Sequence, residues 1–451
     1  MDWMPLAKKS LPEYIEKTTK ILKIPTLLTK YDSSNVEAPF GENIRKALDC
    51  VLEMGKADGF TVKDIDHYAG VIEMGDGDET LAILGHLDVV PATGNWDDDP
   101  FSAVMKNNRI YARGSMDDKG PSMAAYLAMK MVRDAGIPLH KKVRLILGCD
   151  EESGMRCIER YLEKEGMPDL GFSPDAEFPL IHGEKGNTSF DITGQYQDAL
   201  LLAFTAGERY NIVPDYAEVS LSKDLKKEFQ AYLKSHQYEG QAIDNRLIIR
   251  GKSAHGAMPE DGINAIYLMA DFLKDHTKHP LIDFINRFLA FDVKGRKLGI
   301  DHVDAVMKEL TLNVAIIQLD KEYYRLGCNI RYPRGYDPIE GAKRISACAS
   351  SCQSEYVFLG DSPVHFVDPN HPIVQTLYQA YQKYSGDEHS PVMTIGGGTY
   401  ARHLKFGVAF GAQFPGSPDL VHKPNEYLDL DEMTTTMAIF AESIAKLAGS
   451  K

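Results

Sequence analysis

Residues 143–149 read VRLILGC, an almost unbroken apolar run followed at once by Asp150, Glu151 and Glu152. A strand with one wet face alternates apolar and polar residues. This run offers apolar side chains to both faces, so it belongs inside a parallel sheet that is covered on each side. Parallel strands need crossover connections, and the chain supplies one. LAILGHL at 81–87 is a second apolar strand, and PSMAAYLAMKMVRDAGI (121–137) lies between the two. Pro121 at its start, an apolar stripe and Gly136 near its end predict a helix. Strand, crossover and strand make an α/β core. FSAVMKNNRIYAR, just upstream of that helix, reads as a hairpin turning at Asn107–Asn108.

From about 186 the texture changes. Strand-like runs such as SFDIT, EVSLS, RLIIRG, TLNVAIIQL and YYRLGCNIRY alternate with helical stretches near 221–235, 260–275 and 338–352, an α+β pattern. After Pro369 the α/β character returns, with a helix near 371–385, the strand-like FGVAFGA and a C-terminal helix over 430–448. The 451 residues exceed one ordinary domain. The reading is one α/β domain, 1–185 and 368–451, interrupted by an α+β insert, 186–367.

A formal net charge of −15, from 65 acidic and 50 basic residues, argues against nucleic acid or an anionic membrane as a partner. No apolar run is long enough to span a bilayer. The N-terminal segment carries charges throughout and lacks the pattern of a secretion signal, so a cytoplasmic location is expected. The six cysteines form no CxxC and are expected to be reduced packing thiols.

In open α/β sheets ligands bind beyond the carboxyl ends of the strands. His86 and Asp88 stand at such an end, in GHLDVVP. Glu151 and Glu152 follow another strand in DEESG. RGSMDDKG (113–120) is a glycine-flanked acidic turn, and FSPDAEFP presents Asp175. Each alone is as well explained by a solvated turn or an acidic helix start. Their order along one α/β pattern is more specific. Carboxylates crowded at buried strand ends would repel one another and take up protons, whereas bound cations would hold them ionised.

These segments, with SAHG and the late VHKPNEY, resemble the co-catalytic two-metal peptidase and deacylase family that includes aminoacylases, carboxypeptidase G, deacetylornithine deacylases and several dipeptidases. The likeness runs from about residue 10 to the C-terminus and is greatest to the bacterial dipeptidases of that family. It implies a mixed-sheet, aminopeptidase-like catalytic domain and an inserted lid domain. It also implies two divalent metal ions: His86 and Asp175 at one, Glu152 and His422 at the other, and Asp117 bridging both. Asp88 would orient the His86 imidazole, and Glu151 would be the general base acting on a metal-activated water. One imidazole among carboxylates at each site suits zinc first, with manganese or cobalt as alternatives.

In the insert, the resemblance makes His255 of GKSAHG the lid histidine that stabilises the oxyanion. Asn211 of ERYNIVPD would help hold that oxygen or the substrate backbone, and Arg331 of NIRYP would clamp a substrate carboxylate. TIGGGTYAR (394–402) lacks the ending of a phosphate loop. Its glycines, Gly397 among them, either admit substrate close to the backbone or form a structural turn. His276 and His279 lack acidic company and are expected at the surface.

The expected activity is hydrolysis of short unblocked peptides by a monomer, since the large insert supplies the lid groups within one chain. Deacylation of N-acyl amino acids or carboxypeptidase action with the same metals is the alternative. A non-catalytic binding protein of this fold would have lost a ligand or the base, and none of these residues is missing. A nucleotide-dependent ligase is disfavoured by the absence of a phosphate loop.

Overall fold

The computed structural model describes residues 1–27 and 30–449. The chain divides into two units. One comprises Met1–Gly183, Phe366–Met393 and Gly398–Lys451, and the other Glu184–His365 and Thr394–Gly397. The glycine run Gly396–Gly398 is therefore where the chain passes back from the second unit to the first.

The central sheet of the first unit is mixed. Its order runs Thr61–Ile65, Ala69–Met74, Lys142–Gly148, Thr80–His86, Leu170–Ser173, Gly407–Ala409. The first two pairings are antiparallel. The next three, which join Lys142–Gly148, Thr80–His86, Leu170–Ser173 and Gly407–Ala409, are parallel. Thr80–His86 and Lys142–Gly148 are buried at every position after the first, because helices cover both faces. The crossover helix, Lys119–Asp134, is buried almost all round and packs against Met4–Leu22 and Leu430–Gly449. On the other face, Arg156–Glu165 contributes Cys157, Ile158 and Tyr161 to a smaller core with Ala82, Leu84 and Ile146. The predicted hairpin pairs Val104–Lys106 with Arg109–Tyr111. Asn107 and Asn108 both adopt positive φ, 52° and 61°, as a two-residue hairpin turn requires.

The second unit is built on an antiparallel sheet in the order Gly240–Ile243, Arg246–Arg250, Tyr216–Leu221, Leu201–Ala206, Thr311–Leu319, Tyr323–Tyr332, Gly186–Gln195, Glu355–Ser362. Strand periodicity sorts its side chains. Tyr324, Leu326, Cys328, Ile330 and Tyr332 enter a core shared with residues of Ala265–Leu273 and Pro338–Ser351, so Asn329 and Arg331 point to the opposite face. Among the described residues no helix is long and apolar enough to cross a membrane. All six cysteines are free thiols.

One expectation fails here. His279 is fully buried rather than at the surface. It precedes Pro280 at the start of the short helix Pro280–Phe284, and its Nδ1 accepts a hydrogen bond from the Leu281 amide at 3.1 Å. Capping an orphan helix donor explains an imidazole in a core, and burial pushes its pKa down to about 4. His276 is half-buried, with its ring against Phe272.

Candidate metal centre

Three neighbouring parallel strands end at one place. Thr80–His86 delivers His86 and Asp88, Lys142–Gly148 is followed by Glu151 and Glu152, and Leu170–Ser173 is followed by Asp175. His86 is fully buried. Its Nε2 lies 3.0 Å from Asp117 Oδ1 and 3.6 Å from Asp175 Oδ2. His422 Nε2 lies 2.8 Å from Asp117 Oδ2 and 3.2 Å from Glu152 Oε1. Asp117 thus faces both imidazoles, one with each oxygen. His422 sits on a loop with its backbone in the left-handed region at φ 62°, and it arrives from far along the chain.

Several of these polar groups are aimed at a common point rather than at each other. His86 Nε2 and Asp117 Oδ1 are both buried and neither makes a hydrogen bond, despite their 3.0 Å separation. Ligands held about 2.0–2.2 Å from one ion lie roughly 2.8–3.6 Å apart at octahedral to tetrahedral angles. The two groupings His86, Asp117, Glu152 and His86, Glu151, Asp175 each place one potential ligand atom per residue within 4.8 Å of the others. The residues present therefore fit divalent cations. Glu151 falls in the second grouping, so its carboxylate is within reach of the same point as those of the expected ligands.

The charge pattern agrees. Burial pushes the carboxyl of Glu151 well up, and Asp175 and Glu152 push it further. Burial and then Asp117 raise both Asp175 and Glu152. Burial would also raise Asp117, but His422 and His86 together hold it below its usual value. Opposed shifts of this kind cluster at functional sites.

Asp88 meets the His86 ring mainly through its backbone. The hydrogen bond from the His86 ring goes to the backbone carbonyl of Asp88, with Nδ1 to O at 3.0 Å. The Asp88 carboxylate is 3.5 Å from that nitrogen and accepts instead from the amides of Glu151 and Glu152, each at 3.1 Å. The carbonyl keeps the proton on Nδ1 and leaves the Nε2 lone pair for a ligand bond. The carboxylate holds the acidic turn. One residue therefore orients three site groups, because a buried carboxylate beside two orphan amides is satisfied best by both.

Asp118 was not singled out from sequence. Its Oδ2 accepts from the His86 amide at 3.2 Å and from Ser122 Oγ at 2.8 Å. Asp150 takes Arg156 in an ion pair of 2.6 Å, anchoring the start of the acidic turn. Each adjoins a residue that was singled out, the one signal that could have found it.

In the second unit, Asn211 and His255 share adjoining loops: the Gly256 amide donates to the Asn211 carbonyl at 2.7 Å. Arg331 donates from Nε to Asn329 Oδ1 at 2.8 Å and from a terminal nitrogen to the Gly396 carbonyl at 2.9 Å. A Cβ on Gly396 would come within 2.7 Å of the Ala257 Cβ, whereas one on Gly397 would meet only Ile395 Cδ1 at 3.5 Å. Partial desolvation, then the Arg331 charge, lower the His255 pKa.

Parallel strand ends that gather the His86 imidazole and several carboxylates, joined by His422 from its loop, present the donor set of a divalent-metal site. Residues 82–446 match the model of Peptidase family M20/M25/M40. The chain belongs to that family and is an enzyme, a metallopeptidase. It is 40% identical to "Putative dipeptidase SH1171" of Staphylococcus haemolyticus, over 98% of this chain and 99% of that protein. It is 38% identical to "Putative dipeptidase YtjP" of Bacillus subtilis, over 99% and 100%. The fold is shared with human carnosine dipeptidase 1 (TM-score 0.61, 14% identity, 99% of this chain and 98% of that one). It is also shared with an M20 family metallo-carboxypeptidase of Sulfolobus solfataricus (TM-score 0.59, 20% identity, 96% and 98%).

Proposed function

We propose that this enzyme is a dipeptidase that hydrolyses short peptides with free N-termini, using two divalent cations held by His86, Asp117, Asp175, Glu152 and His422. The observation that carries the reading is the pair His86 Nε2 and Asp117 Oδ1, buried, 3.0 Å apart and bonded to nothing. Bound there, divalent cations would polarise the scissile carbonyl and lower the pKa of a water. Glu151 accepts a proton from the attacking water on its carboxylate and returns it to the leaving amine. Its burial, which raises its proton affinity, suits a group that must both take and give a proton. Asp88 keeps Glu151 and Glu152 in register through their amides. His255 donates to the developing oxyanion, assisted by Asn211. Arg331 receives the substrate's C-terminal carboxylate, and Gly397 admits the peptide backbone. The grouping of Asn211, His255, Arg331 and Gly396 within the second unit supports these last assignments. One imidazole among oxygen ligands at each site favours zinc, then manganese or cobalt. The enzyme acts as a monomer in this reading.

The test is turnover of a dipeptide panel after chelation and re-addition of single metals. Loss of activity on chelation and its return with zinc, manganese or cobalt is expected. Undiminished hydrolysis by the stripped protein would sink the proposal.

A further inference from the structure

Glu426 and Arg113 form a buried ion pair at 2.5 Å, with the glutamate side chain fully enclosed and the arginine nearly so. The carboxylate does more than neutralise the guanidinium. Oε1 accepts from the Met116 amide at 2.8 Å, the Asp117 amide at 3.4 Å and Ser115 Oγ at 3.4 Å. Oε2 accepts from the Gly114 amide at 3.3 Å as well as from Arg113. Successive backbone amides turned inward, with Gly114 at φ 83°, make an anion-binding concavity. Here the anion is the chain's own. Both oxygens are occupied by donors of the 113–117 loop, so Glu426 is not itself a metal ligand.

Its place in the chain gives this contact a consequence. Glu426 follows His422 by four residues. Its carbonyl accepts from the Ala112 amide at 3.1 Å, and the strand Tyr427–Asp429 that follows pairs with Arg109–Tyr111. One side chain therefore ties the loop that ends on Asp117 to the loop that carries His422, the two residues whose ligand atoms lie 2.8 Å apart. We infer that Glu426 is the positioning residue that sets the Asp117–His422 spacing, and with it the affinity of the cation site shared by Asp117, Glu152 and His422. The inference rests on the metal reading above.

Titration of zinc into the metal-free protein tests it by calorimetry, with circular dichroism as the check on folding. Glu426→Asp keeps the charge that Arg113 needs but withdraws the carboxylate by one methylene. It is expected to stay folded and to lose about 10–100-fold in affinity at one of the two sites, the range for a residue that orients a ligand. Combined with His422→Ala, which removes that site's imidazole, it should cause little further loss. Should Glu426→Asp fail to fold, Arg113→Met with Glu426→Gln removes both charges and faces the same criteria. Two unaltered affinities in a folded variant, or additive losses in the double variant, would overturn the inference. So would failure of both variants to fold, which would assign the pair to stability. Wild-type protein that binds no divalent ion would instead bring down the metal reading and this inference with it.

Discussion

Nε2 of His422 lies 3.2 Å from Oε1 of Glu152, although 270 positions of sequence separate them. The same nitrogen lies 2.8 Å from Asp117, whose carboxylate also meets His86. Each imidazole sits against carboxylates that would otherwise repel one another, and this has measurable consequences.

The first concerns pH. Hydrogen bonds to Asp117 and then Glu152 push the His422 imidazole up to about 10 from its ordinary 6.5. Burial opposes the same shift at His86, but Asp117, Asp175 and Asp88 outweigh it and raise that imidazole as well. Burial raises Glu151 and Asp118. A group that holds its proton more tightly folded than unfolded stabilises the fold fully below its unfolded pKa, and that stability fades as pH rises through the folded value. For His422 the window runs from about 6.5 to about 10. The melting temperature of metal-free protein should fall across that window and that of the loaded protein should change less. Metal uptake at neutral pH should release protons, because ligands bind deprotonated. Calorimetric titration in buffers of different ionisation enthalpy measures this, and metal uptake without proton release would contradict it.

Glu151 is either a base or a ligand, since it shares a grouping with His86 and Asp175. Glu151→Gln should reduce kcat by about 10²–10⁴-fold, the range for general acid–base groups, with metal content unchanged. Departure of one metal equivalent, read by elemental analysis, would make it a ligand instead.

Asp88 should act through the acidic turn. Asp88→Ala removes a buried acceptor from the Glu151 and Glu152 amides and should destabilise the metal-free protein by about 1.5–3 kcal/mol, measured by urea unfolding. Asp88→Asn retains one acceptor and should lie between. An unchanged unfolding midpoint for the alanine variant would remove this role.

The proposed role of Arg331 in holding a substrate carboxylate separates dipeptides from their relatives. Arg331→Lys should raise KM for a dipeptide with little change in kcat, because the planar fork that matches a carboxylate is lost. A dipeptide amide should be a poor substrate for the wild type and equally poor for the variant. Preference for N-acetyl amino acids over free dipeptides would favour a deacylase.

Gly397→Ala places a methyl in ordinary contact with Ile395 alone. Its stability should stay within about 1 kcal/mol of the wild type while KM rises. Unchanged KM would make the glycine a structural turn.

Much of this architecture is local in origin and legible in the chain. The almost unbroken apolar run at 143–149 reports burial on both faces, and Asn107–Asn108 reports a turn that needs two positive φ values. His86, Glu151, Glu152 and Asp175 stand at or just past strand ends, where an acidic or imidazole group is legible, whereas the choice of metal ligands, Asp117 and His422 among them, rests on the family resemblance. His279 was misjudged because its partners, Leu281 in the next turn and the rings of Tyr196 and Tyr324, decide its burial and leave no trace in its neighbourhood of charges. The family resemblance ties Asp88 to the His86 ring, yet its carboxylate accepts from two amides at the neighbouring strand's end.

By itself, then, the sequence determined the elements, their order and the chemical kinds at their ends, because apolar period, turn residues and charge are properties of short stretches. Only the tertiary structure decided that His422 meets Asp117, that Glu426 closes a ring of amides around itself and that Asp88 serves an acidic turn. Those meetings join segments far apart in the chain. Parallel pairing of Lys142–Gly148, Thr80–His86 and Leu170–Ser173 brings their ends to one point, and the burial that follows makes each lone charge untenable without its partner.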